Sequence, residues 1–160
     1  MADRIPMTRA GYEKLKGDLA QLQDVEMPKI LERLATARGE GDQSENAEYH
    51  GARESQGMMQ ARINLLREKL SYAVLIDTSH LPKDQVTFGS TVVVKDLDFG
   101  DQEEFTLVGA GEEDYDTGKI LVTSPLAQGL MAKKVGDSVS IAVPQGTLKF
   151  EIVEIRPVSE

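Results

Sequence analysis

The chain has 160 residues, 40% hydrophobic and 28% charged, an ordinary balance for a protein that folds around cores of its own. Its net charge is −9 and it has no cysteine, which excludes disulfides and thiolate metal sites. No apolar run approaches the roughly 20 residues of a membrane span, and Met1-Ala2-Asp3-Arg4-Ile5-Pro6 lacks the basic-then-apolar pattern of a signal peptide. A cytoplasmic location is therefore expected. The charge is unevenly placed: residues 1–76 carry 11 Lys/Arg against 12 Asp/Glu, and residues 77–160 carry 7 against 15. Phosphate neutralisation needs a basic face, so the second half will not seek nucleic acid by itself. Any contact with nucleic acid is expected from the first half, inside a larger assembly.

Residues 1–7 read as an extended lead-in, since Pro6 disfavours helix just before it. Thr8 follows as a plausible N-cap. Tyr12, Leu15, Leu19 and Leu22 then repeat at steps of three and four, the spacing of a helical seam. Met27, Ile30, Leu34 and Ala37 continue it after a step of five. Pro28 lies at that slip and predicts a kink. Gly39 and Gly41 end the helix through their permissive backbone. Asp42 with Glu45 three residues on reads as a capping box opening a second helix. Its seam is Tyr49, Ala52, Gln56, Met59, Ile63, Leu66, Leu70 and Ala73, with only Gln56 polar. Two helices of roughly 30 residues joined by a short turn predict an antiparallel coiled-coil hairpin over residues 1–76, about 45 Å long.

The period changes after Ile76. Asp77-Thr78-Ser79-His80-Leu81-Pro82-Lys83-Asp84 reads as a linker over 77–84. Beyond it, Val86–Phe88, Thr91–Lys95, Glu103–Val108, Lys119–Thr123, Ser138–Val143 and Thr147–Ile155 read as strands between glycine turns. Ser124-Pro125-Leu126 opens a short helix, with Ser124 as N-cap and Pro125 at its first position. Residues 85–160 are therefore expected to form a globular, mostly antiparallel β domain with one short helix, making the whole chain α+β. The acidic run Glu112-Glu113-Asp114-Tyr115-Asp116 is expected in a solvated hairpin loop, because it lacks the ligand spacing of a calcium loop.

The hairpin turn gathers more acid than a turn needs. Glu40, Asp42, Glu45 and Glu48 crowd one end of the helical pair. Asp42 and Glu45 can simply cap free amides at the positive end of a helix dipole. They can also reach a divalent cation. Mg²⁺ wants about six oxygens, so two exposed carboxylates make no tight site alone, and a partner must complete it. Arg38 and Arg53 flank the turn, either as surface cations paired with Glu40, Glu48 or Glu54, or as a patch that holds an RNA phosphate. His50 and His80 stand far apart in the sequence and are not read as metal ligands. No Ser-His-Asp set, P-loop or dinucleotide loop is present.

The stretch Gly-Asp-Gln-Ser-Glu-Asn-Ala-Glu-Tyr-His at 41–50, continued by Ala52-Arg53-Glu54, resembles the signature of the bacterial Gre transcript-cleavage factors. Ile5-Pro6-Met7-Thr8 and Ser124-Pro125-Leu126-Ala127-Gln128-Gly129-Leu130 resemble that family too, in the same order, so the likeness spans essentially the whole chain. The acidic balance is closer to the GreA branch than to the more basic GreB branch.

The resemblance implies an accessory factor, with no tightly bound cofactor, that binds bacterial RNA polymerase and passes its coiled coil down the secondary channel. Asp42 and Glu45 would help the polymerase hold a second Mg²⁺, so that the polymerase cuts backtracked RNA. Asn46, Tyr49 and Arg53 would support the tip, Arg38 and Arg53 would hold the nascent RNA 3′ end, and a monomer is expected. The resemblance further implies an FKBP-like C-terminal domain that docks on the polymerase through Ser124, Pro125 and Leu126. Family inhibitors of the same shape carry altered acidic tips, and this chain keeps Asp-x-x-Glu, which favours cleavage. The rivals are a secondary-channel inhibitor, an FKBP-like prolyl isomerase or chaperone, and a free-standing metal nuclease. The isomerase wants an aromatic pocket that Phe88, Phe99, Phe105, Tyr115 and Phe150 supply poorly. The nuclease has too few ligands.

Overall fold

The step of five between Leu22 and Met27 is where the first helical stretch changes its winding. In the computed structural model, which describes residues 4–39 and 46–158, helix α1 (Arg9–Gln21) leads into a π-helical turn (Leu22–Glu26) and then α2 (Met27–Arg38). The Met27 N–H bonds the carbonyl of Leu22, five residues back. One wide turn thus absorbs the extra residue that the seam contains, and the apolar stripe continues on the same side. Pro28 sits in the first turn of α2, where its missing N–H costs least. At the expected kink the helix changes its winding. Leu15, Ile30, Leu34 and Ala37 are buried along the stripe.

Thr8 does cap α1, its Oγ1 accepting the Gly11 N–H at 3.0 Å. At the other end of the stretch, Gly39 has an ordinary right-handed φ of −78°, so its special backbone freedom is not used. Gly41 lies outside the described residues. Helix α3 (Ala47–Ser71) starts from Asn46, whose side chain accepts the Tyr49 N–H at 3.0 Å. The predicted capping box is corrected on this point, because the cap of α3 is Asn46. Asp42 and Glu45 themselves lie outside the described residues. Helix α2 packs along α3. Ala52 and Ile63 are buried, with Tyr49, Gln56, Met59, Leu66 and Leu70 half-buried, as the seam predicts. Ala73 does not continue it: α3 stops at Ser71, and Ala73 opens strand β2 (Ala73–Leu75). At 25 residues, α3 is about 37 Å long. Strand β2 forms a two-stranded sheet with β1 (Ile5–Met7).

The chain divides into two compact units. One comprises the chain up to Ile5 together with Tyr12–Ala73, the other Pro6–Gly11 together with the chain from Val74 onward. The second unit holds a five-stranded sheet of β3 (Thr91–Asp96), β4 (Gln102–Val108), β5 (Lys119–Leu121), β6 (Ser138–Val143) and β7 (Gly146–Arg156), in the order β5-β4-β3-β7-β6. All neighbours are antiparallel except β4 and β5, which run parallel. Parallel neighbours need a crossover rather than a hairpin. The acidic run lies in that crossover, so its expected hairpin loop is corrected. Glu113 accepts the Gly111 N–H at 2.7 Å, Asp114 caps a 3₁₀ turn at Tyr115–Thr117, and Glu112 accepts the Thr8 hydroxyl.

The predicted strand at 86–88 is also absent. Val86, Thr87 and Phe88 are buried, but Thr87 and Ser90 close a turn in which Ser90 Oγ bonds both the amide and the carbonyl of Thr87. That apolar run reports burial, and it is too short to report a strand. Helix α4 (Pro125–Leu130) packs against β6 so closely that a Cβ on Gly129 would lie 2.6 Å from Ile141 Cγ1. Val92, Val94, Leu107, Leu130 and Ile152 form the centre of this core. No helix among the described residues is long and apolar enough to cross a membrane.

Candidate functional site

The acid-bearing segment 40–45 is bracketed by two helix ends that are bonded to each other. Asn46 does this twice over. Its Oδ1 accepts from the Tyr49 amide, and its Nδ2 donates to the Ala37 carbonyl in the last turn of α2 at 2.6 Å. One amide therefore satisfies an orphan donor of α3 and an orphan acceptor of α2. The chain enters and leaves the segment at one end of the helical pair. The position of Asp42 and Glu45 in the sequence puts both acids in that six-residue span, outside the described residues. Because Asn46 serves as the cap, α3 requires neither of them in that role.

Tyr49 lies half-buried one turn into α3. The Arg38 guanidinium sits over its ring, 5.7 Å from the centroid, and the His50 ring meets it edge-on at 5.6 Å. Stacking on a ring face holds a guanidinium while leaving its N–H fork available. Arg53 is exposed on the next turn and donates through Nη1 to Gln56 Oε1 at 2.9 Å. Among the described residues neither arginine joins an ion pair, so of the two readings the pairing with Glu48 or Glu54 is not formed, and Glu40 lies outside the described residues. Both keep positive charge beside the segment. On this unit a surface groove of about 440 Å³ is lined by Lys29, Glu32, Arg33, Thr36, Ala37 and Glu48. Its charges are mixed and select no ligand of either sign.

The donor set bears on Mg²⁺. Among the described residues no group of three or more His, Asp or Glu can hold a metal ion. Asp42 and Glu45 lie outside the described residues; their carboxylate oxygens are of the hard kind that Mg²⁺ takes, and two are too few for a site alone. Away from the tip, Ser124 caps α4 by accepting the Ala127 N–H at 3.3 Å, and Leu126 packs against the core. Pro125 is the exposed member of that trio. His80 lies 3.7 Å from Asp77, whose carboxyl is held below its usual range, first by the Ser79 hydroxyl and then by the Ser79 amide. That pair caps a turn and gathers no third ligand.

Sequence reasoning missed the double role of Asn46. Its signal was an asparagine three residues before Tyr49, outweighed by the acids that precede it.

Comparison with known proteins covers both halves. Residues 5–75 match the family described as "Transcription elongation factor, N-terminal", and residues 81–157 match "Transcription elongation factor, GreA/GreB, C-term". The chain is 48% identical over 155 residues to "Transcription elongation factor GreA" of Thermodesulfovibrio yellowstonii, covering 97% of this chain and 98% of that one. It is 46% identical over 153 residues to the protein of the same name from a Psychrobacter species, covering 95% and 97%. Among solved structures, Thermus aquaticus Gfh1 aligns at 26% identity with a TM-score of 0.46, covering 97% of this chain and 99% of that one.

Proposed function

The chain belongs to the GreA/GreB family of transcription elongation factors, and from that premise we propose that its helical hairpin enters the RNA polymerase secondary channel and stimulates cleavage of backtracked RNA. The observation that carries this reading is the bracketing of residues 40–45 by Asn46. The cap of α3 and the tie to α2 are both supplied by a neutral amide, so neither Asp42 nor Glu45 is needed to cap α3. Acids that the cap does not use remain available to a partner.

In this reading Asp42 and Glu45 add oxygens to a Mg²⁺ site otherwise built by the polymerase, and this chain is an accessory factor without nuclease activity of its own. Mg²⁺ so held supplies a Lewis acid and an acidified water for phosphodiester hydrolysis. The chain's own groups position. Asn46 locks the two helix ends, Tyr49 carries Arg38 on its face, and Arg38 with Arg53 offers fixed positive charge to the phosphates of the nascent RNA 3′ end. Ser124, Pro125 and Leu126 are assigned to docking on the polymerase, with exposed Pro125 as the contacting group. The factor acts as a monomer in the cytoplasm.

The test is RNA cleavage in stalled, backtracked polymerase complexes with Mg²⁺, using the wild type, Asp42→Ala and Glu45→Ala. Rapid 3′ cleavage is expected from the wild type alone, with both variants still binding polymerase. Each loss should reach about a hundredfold if the acids stabilise developing charge. Equal cleavage by all three would refute the role of the acids. Binding without cleavage by the wild type would make the chain an inhibitor.

A further inference from the structure

The β3–β4 hairpin ends in a turn that exposes two large apolar side chains, Leu97 at 48% and Phe99 at 81%. That exposure is imposed by the backbone. Asp96 Oδ1 accepts from the amides of Asp98 at 2.8 Å and Phe99 at 3.1 Å. The Gly100 N–H donates to the Asp96 carbonyl and the Asp96 N–H to that of Asp101, both at 2.7 Å. The Leu97 N–H reaches across to the Lys149 carbonyl of β7 at 2.9 Å. Gly100 sits at φ +83°, in the left-handed region that lets the turn close. Five bonds thus hold a ring and a branched side chain out in water, where neither contributes to the core.

The rim around them is acidic. Asp96, Asp98 and Asp101 stand within six residues, and among the described residues none of the three joins an ion pair. An apolar centre with a charged rim has the anatomy of a protein interface, and a preorganised aromatic is the usual anchor of one. Three unneutralised carboxylates repel nucleic acid and anionic lipid, and they would repel a second copy bringing the same three charges. They suit a cationic protein surface. We propose that this turn seats Phe99 and Leu97 in an apolar recess, rimmed by lysine or arginine, on the surface of RNA polymerase. The assignment rests on the polymerase reading above and gives the acidic C-terminal half a second contact, separate in sequence from Ser124, Pro125 and Leu126.

The experiment measures the affinity of the full-length, fluorescently labelled chain for purified bacterial core RNA polymerase by anisotropy, at low and high salt. It compares the wild type with the double variants Leu97→Ser/Phe99→Ser and Asp98→Lys/Asp101→Lys. The apolar variant should raise Kd about tenfold at both salt concentrations, because burial is not screened. The charge variant should raise Kd by a similar factor at low salt and less at high salt. Both should keep the wild-type melting temperature, since the altered side chains are exposed. Kd within twofold of wild type for both variants would overturn the proposal. A loss in the apolar variant with none in the charge variant would overturn the cationic rim. A wild type that dimerises through Phe99, by light scattering on the same samples, would overturn the choice of partner. A wild type that does not bind polymerase would overturn the functional reading itself, and this contact with it.

Discussion

Asn46 carries more of the tip than its size suggests, because its two polar atoms serve two helices at once. Replacing it by alanine removes an N-cap and the side-chain donor to the Ala37 carbonyl, which should cost about 1–2 kcal/mol. Asn46→Asp keeps the acceptor for Tyr49 and loses only the donor, so its cost should fall between alanine and wild type. Urea unfolding of the three proteins checks this. Equal stability of all three would show that neither bond matters. Other single residues act through space alone. Gly11 lies against the Ala110 carbonyl, where a Cβ would sit 2.7 Å away, and Thr8 reaches from the start of α1 to Glu112. The caps Thr8 and Ser124 were legible because a cap bonds to an amide three residues on, within a short window. The Gly11 contact was not, because its partner lies about a hundred residues away in the chain.

At the scale of elements, periodicity separates seam from surface. Ile63 is 2% exposed on the seam of α3, while Leu65 two residues on is 60% exposed. Ile63→Ala should therefore destabilise by about 2–4 kcal/mol, through lost transfer energy and a residual cavity. Leu65→Ala should change stability by no more than about 0.5 kcal/mol. Thermal melts of the two variants distinguish the positions that composition alone would treat alike. The π turn makes the same point about spacing. A step of five was visible in the sequence, but not that one turn would widen so that the Met27 N–H bonds the Leu22 carbonyl. In the second unit, strands of six or more residues were readable from β-branched runs. The three-residue run at 86–88 was not, since burial and strand leave the same apolar trace at that length.

For the whole molecule, the net charge of −9 and its concentration in residues 77–160 set what the chain can approach unaided. Free single-stranded RNA at physiological salt should not be retarded in a gel-shift assay, and Mg²⁺ with this chain alone should leave RNA uncut. Retardation or cutting without polymerase would remove the need for a partner that completes the site. The sequence by itself determined the paired helices, the change from helical to strand periodicity in the second half, and the caps Thr8 and Ser124. Each is written in spacings of a few residues, where backbone geometry and side-chain burial act on the same short window. Only the tertiary structure decided the π turn, the parallel pairing of β4 with β5, the crossover that carries the acidic run, and Asn46 as the tie between α2 and α3. Those outcomes depend on which distant segment completes a hydrogen bond or fills a core, and no local window contains that partner.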